Sequence, residues 1–301
     1  MTEDSKAYWA WLQLSLGEGS FKPKRILSYF PDIPSFYDAG PTQWRSMGLF
    51  TPKELKQLSQ NTLEDGKILI ASSEAKGIQT ITPACKAYPQ RLYQIDNPPC
   101  MLYVKGTLPN LDEQPALAVV GTRNATTTGK QITYDLSMQL AQAGMVIISG
   151  GAKGIDTAAH QGALQGNGIS ICVLGCGIEY PYLMENESMR QSIAEHGAII
   201  SEFPVTKPAF KHHFPIRNRV ISGLSVGVLV VEAAERSGSL ITARTALEQN
   251  RDVFAVPCGI YNPVSEGVNN LIKAGAKPVT KAQDILEEYT NTYLLQLEQL
   301  K

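Results

Sequence analysis

The sequence predicts a doubly wound α/β protein, a mostly parallel sheet with helices on both faces, preceded by a small all-helical domain. Three observations predict it. Beyond Ala116, short β-branched runs alternate with stretches of helical period. Runs such as VGVLVVE (226–232) are apolar on both faces, as strands covered by two helix layers must be. From Ser5 to about Ile78 the pattern is helical only, in short pieces broken by Pro and Gly.

In chain order, SKAYWAWLQLSL, FKPKRILSYF, PTQWRSMG and TPKELKQLSQ read as short helices. Thr51 is placed to cap the last of these, with Pro52 at its first position and Glu54 three after the cap. Tyr8, Trp9, Trp11 and Trp44 read as the core of this domain rather than as platforms for nucleic-acid bases. Two strands, QTITP and CMLYVKG, then flank a Pro-rich stretch and open the second domain. The expected units are residues 1–78, 79–290 and a tail, 291–301. The α/β alternation runs ALAVVG, TGKQITYDLSMQLAQAG, MVIISG, IDTAAHQGALQ, ISICVLG, ENESMRQSIAEHG, AIISEF, VGVLVVE and SLITARTALEQN.

At 301 residues and 43% hydrophobic content the chain can bury a full core. No run approaches the roughly 20 apolar residues that span a bilayer, and the N-terminus lacks the basic-then-apolar order of a signal peptide. A cytoplasmic protein without a membrane partner is expected. Cys85, Cys100, Cys172, Cys176 and Cys258 are scattered and odd in number, which suits reduced packing residues and not a metal site. The net charge of −1 neither attracts nor repels a polyanion, so a nucleic-acid site must be a local patch.

In a doubly wound sheet, ligands lie outside the carboxyl ends of the strands, and four loops there carry chemistry. The first, Val120 to Gly129, leaves a strand through Gly121 and Thr122 and enters a helix through threonines suited to capping. Its Arg123 offers a planar fork for phosphate, or for a carboxylate partner. In the second, Ser149 to Asp156, Gly150, Gly151 and Gly154 let a backbone approach an anion, with Lys153 beside them. Neither loop spells G-x-G-x-x-G, which argues against a standard NAD enzyme, and no cofactor is expected. Asp156 and His160, four apart, are either an acid–base pair or a helix-capping carboxylate bonded to its neighbour.

The third element, Lys207 to Arg219, has four Lys or Arg and no acid. Cations track phosphate while an aromatic ring stacks on an unpaired base, so Lys211, Phe214, Arg217 and Asn218 suit a single strand. Alternatively, Phe214 packs under a helix started by Pro215, with Ile216, Val220 and Leu224 as its apolar face. The fourth, Glu232 to Thr242, ends a strand and opens a helix that Ser239 can cap; it either completes the floor of the site or is only a tight turn.

Together these pieces resemble the DNA-processing protein A family, also called Smf, from about Thr82 to Leu286. The matching segments are YPQRLYQIDNPPCMLYVKG, VVGTRNAT, SGGAKGIDTAAHQGAL, HHFPIRNRVISGLS, EAAERSGSLITARTALEQNRDVFAVPCG and GVNNLIKAGA. The resemblance implies an extended Rossmann-like domain behind a sterile-alpha-motif-like (SAM-like) helical domain. It also implies a single-stranded-DNA-binding protein, not an enzyme, that protects incoming DNA in natural transformation, helps load the RecA recombinase and forms a homodimer. By motif, the family's DNA-contacting arginine, lysine and phenylalanine fall on Arg123, Lys211 and Phe214. Two departures stand out: the Tyr180 to Asn186 turn is two residues longer than the family's Y-P-x-x-N and lacks its lysine, and KAQDILEEYTNTYLLQLEQLK leaves no room for a winged-helix domain. The competing reading is a nucleotide-binding or phosphoribohydrolase-like enzyme of the related group, but Thr245 stands where that group's loop has its glutamate.

Overall fold

The computed structural model describes residues 3–297. Five helices come first: α1 (Glu3–Leu16), α2 (Lys22–Leu27), α3 (Ile33–Ser46), α4 (Pro52–Gln60) and α5 (Leu63–Glu74). They close on an aromatic core in which Trp11 contacts Phe36, Tyr37 and Trp44, with ring centroids 4.8–6.0 Å apart. The indole N–H groups of Trp11 and Trp44 donate to the Asn61 and Phe36 carbonyls, so burying these rings strands no donor. Thr51 caps α4 in a capping box with Glu54, as its spacing predicts. The PTQWRSMG segment is a second helical piece, joined within α3 to the one before it across a kink where Gly40 takes φ +75° before Pro41.

The remaining chain runs β1 (Gln79–Ile81), α6 (Gln90–Tyr93), β2 (Leu102–Gly106), β3 (Ala116–Val120), α7 (Thr127–Gln142), β4 (Val146–Ser149), α8 (Ile155–Gln165), β5 (Ser170–Leu174), α9 (Glu187–His196) and β6 (Ala198–Ser201). It continues through α10 (His213–Gly223), β7 (Gly227–Val230), α11 (Gly238–Glu248), β8 (Asp252–Ala255), α12 (Glu266–Lys273), β9 (Lys277–Pro278) and α13 (Gln283–Tyr289). The nine strands form one sheet in the order β1-β2-β6-β5-β4-β3-β7-β8-β9. The seven strands from β6 to β9 are parallel; β2 runs antiparallel to both β6 and β1. Strands placed after β3 go out one way through β4, β5 and β6 and the other way through β7 and β8. The order therefore reverses between β3 and β7, and a crevice opens there at the strands' carboxyl ends.

Alternation along each strand fills two cores. Ala118 and Val120 face α10 and α11 through Val220, Ile221, Ala243 and Ala246. Leu117 and Val119 face α7, α8 and α13 through Leu136, Leu140, Ala159, Ala163 and Ile285. At the β1–β2 margin the sheet meets the N-terminal helices, with Ala10, Ile78, Met101, Tyr103 and Val205 buried together. Polar contacts fix that junction: the Gln13 amide donates to the Glu202 carbonyl and the Gly19 N–H to its carboxylate, both at 2.8 Å. Glu202 in turn is paired with Arg219 at 2.6 Å, and both are buried. At the other end, Leu297 is buried in the α7–α8–α13 core.

Candidate nucleic-acid interface

The crevice at the β3–β7 reversal holds a cleft of about 330 Å3. Its floor is the end of β3 with Gly121 and Thr122; one wall is α10, and the other is the Ser237–Ser239 turn that opens α11. Backbone and side-chain locks set this shape. The Thr122 N–H donates to the Glu232 carbonyl at the end of β7 (2.8 Å). The buried Glu232 carboxylate accepts from the N–H (2.9 Å) and hydroxyl (2.6 Å) of Thr126, which itself caps α7. Gly121 is required here because a Cβ would lie 2.5 Å from Ile155.

Helix α10 begins at His213, two residues before Pro215. Phe214, Arg217, Asn218 and Ile221 recur at the helical i, i+3, i+4, i+7 spacing and all line the cleft. Phe214 is half-buried and lines the cleft, while Val220 and Leu224 of the same helix pack into the core. The exposed Arg123 guanidinium lies over that ring, 5.2 Å from its centroid, and Arg217 stands 5.9 Å away. Cation–π attraction of this kind is worth about 0.5–2 kcal/mol.

Arg217 is a brace as well as a lining group. It is buried, and its Nη1 donates to the carbonyls of Gly150 and Val173, each at 2.6 Å, tying α10 to the ends of β4 and β5. A Cβ at Gly150 would fall 2.2 Å from that guanidinium, which gives this glycine its reason. Gly151 takes φ +69° against the Cys172 thiol and does not line the cleft. Asn218 accepts from Arg217 Nε at 3.1 Å. Burial pulls the Arg217 pKa down, opposed by the nearby Asp156, and pushes the Asp156 carboxyl up, opposed by Arg217.

Asp156 and His160 do not form a pair. Asp156 accepts the Ala152 N–H at 3.2 Å, while the His160 ring meets the Ser170 hydroxyl at 2.8 Å. The α11 cap is Ser237, not Ser239. Lys211 is exposed in the turn ahead of α10, outside the lining. Lys153 also lies outside it, ion-paired with Glu185 at 2.7 Å. The structure thus gathers Gly121, Thr122, Arg123, Phe214, Arg217 and Asn218 in one cleft. Asp156 of the second loop and Ser237, Ser239 and Thr242 of the fourth line it too, and the structure adds Ile221, which was reachable by extending the helical spacing from Phe214.

The family model for DNA recombination-mediator protein A matches residues 79–290, which takes in every strand and loop that builds this cleft. The chain belongs to that family. It is 43% identical over 220 residues to DNA processing protein DprA of Bacillus subtilis, covering 73% of this chain and 74% of that protein. Protein Smf of Synechocystis is 37% identical over 292 residues, 95% of this chain and 73% of its own. Among solved structures, DprA of Streptococcus pneumoniae superposes with a TM-score of 0.81 at 33% identity, over 96% of this chain and 98% of that one. The family member from Helicobacter pylori, whose structure concerns its single-stranded-DNA binding mode, gives a TM-score of 0.64 at 32% identity, over 71% and 97%. Among the described residues of this family member no helix is long and apolar enough to cross a membrane.

Proposed function

We propose that this chain binds single-stranded DNA in the β3–β7 cleft without sequence preference, protecting it and assisting the loading of RecA recombinase in natural transformation. The observation that carries the reading is the Arg123 guanidinium resting on the half-buried Phe214 ring at the reversal of strand order. A phosphate can take the guanidinium while a base stacks on the ring or on the guanidinium itself. Duplex DNA hides its base faces, so the pairing of cation and ring favours an unpaired strand. The single-stranded-DNA binding of the Helicobacter pylori relative, 32% identical, supports the same assignment. Lys211 and Lys153 are proposed to meet phosphates outside the cleft, with Gly121 and Thr122 shaping its floor, Arg217 and Asn218 its wall, and Gly150 and Gly151 forming the turn behind that wall against which Arg217 is braced. RecA contact, a homodimeric state, a cytoplasmic location and the SAM-like character of residues 1–78 rest on the family resemblance.

No turnover is expected in the cleft. Among the described residues that line the cleft, Asp156 is the one carboxylate, and it accepts from the Ala152 N–H of its own loop. Incubation with AMP followed by product analysis should release no ribose phosphate; release at enzymatic rates would put the chain with the phosphoribohydrolases. In binding titrations against salt, Arg123→Ala should flatten the log–log slope by about 0.7, the value of one phosphate contact on a single strand. Phe214→Ala should weaken binding by about 1–3 kcal/mol with the slope nearly unchanged.

A further inference from the structure

Beside the cleft, across a narrow ridge, lies a second groove of about 520 Å3 between the first turns of α7 and α8. The ridge is two crossing loops in contact: a Cβ at Gly154 would lie 2.5 Å from the Thr122 carbonyl oxygen and 2.6 Å from that of Arg123. Farther along, α7 and α8 close on each other, since a Cβ at Gly162 would meet the Tyr134 carbonyl at 2.3 Å. The groove therefore narrows with distance from the cleft end of the two helices. Lys130 and Tyr134 stand four apart on α7 and both line it, the lysine exposed and the ring half-buried. Lys153 faces them from the other loop, held by Glu185 of the Tyr180–Asn186 turn at 2.7 Å. Both partners of that pair are well exposed, at 62% and 49%, and such a pair is cheap to exchange for another anion.

We propose that a bound single strand leaves the cleft over this ridge and continues in the α7–α8 groove. Lys130 and Lys153 meet its phosphates, Tyr134 takes a base, and Glu185 competes with phosphate for Lys153. The inference rests on the cleft being a single-strand site. A cleft of about 330 Å3 is at the small end even for a drug-sized ligand, so a polymer seated there must run out along the adjoining surface. The groove offers that surface cations, a ring and one removable acid. Glu185 acquires a role on this account: it occupies the elongated turn and masks the cation nearest the ridge.

The test compares oligothymidines of roughly 4 and roughly 16 nucleotides, the range of site sizes in single-strand-binding folds, by fluorescence anisotropy. Glu185→Gln, which frees Lys153, should bind the long strand about threefold more tightly and the short one as the wild type does. Lys130→Ala should flatten the long-strand salt slope by about 0.7. Tyr134→Ala should weaken the long strand about tenfold at an unchanged slope. Lys130 and Glu185 are exposed, so those two variants keep the test intact if Tyr134→Ala lowers the melting temperature. If Glu185→Gln and Lys130→Ala leave the long strand unaffected, or shift short and long strands alike, the path through the groove is wrong while the cleft assignment stands. If the wild type binds neither length, both fall.

Discussion

His160 has no exposed surface, and burial pulls its pKa from 6.5 down to about 3. In the unfolded chain the ring takes up a proton near 6.5, so between there and about 3 the unfolded state binds more protons. Stability should therefore fall by about 1.4 kcal/mol per pH unit as pH drops through that window, with no contribution above it. Urea unfolding at pH 7 and pH 5 checks this, and His160→Asn should lose the corresponding part of the pH dependence. At this scale the sequence pattern leaves side-chain partners open. Four-residue spacing placed Asp156 and His160 on one helix face but could not tell that a strand hydroxyl, Ser170, would take the histidine. It assigned Arg217 to phosphate because arginines bind phosphate, whereas the guanidinium is buried and spends Nη1 on two strand-end carbonyls. A long-range brace between residues 67 and 44 positions apart leaves no local signature.

At the scale of elements, the helices and strands were legible because their periods differ and because α7, α8, α11 and α12 start at a glycine, serine or threonine. Thr51 and Thr126 cap as their spacing predicts. Ser237 takes the cap from Ser239 because both hydroxyls sit within one turn and local sequence does not rank them. The strand-end glycines proved to serve packing before ligands. Gly154 is the sharpest case, with φ +82° and a would-be Cβ 2.5 Å from the Thr122 carbonyl oxygen. Gly154→Ala should cost about 3 kcal/mol, strain and contact together, seen as a lower urea midpoint with an unchanged slope. A neutral result would mean that the two loops are free to part, and the ridge between cleft and groove would not be rigid.

For the whole molecule, alternation of strand and helix sufficed for a parallel, doubly wound sheet, but not for its order. The reversal between β3 and β7, and the antiparallel β1–β2 margin on which the N-terminal helices sit, come from packing between segments far apart in the chain. That reversal is what makes a cleft of Arg123 and Phe214, which are 91 residues apart by number yet within 5.2 Å of cation to ring centroid. The central claim is that this cleft selects an unpaired strand through that cation and ring. The most direct measurement is a competition titration of the wild-type chain with a labelled single strand against unlabelled single-stranded and blunt duplex DNA of the same sequence, repeated with Phe214→Ala. The single strand should compete better, and the preference should shrink in the variant. Duplex competing as well as or better than the single strand would contradict the account.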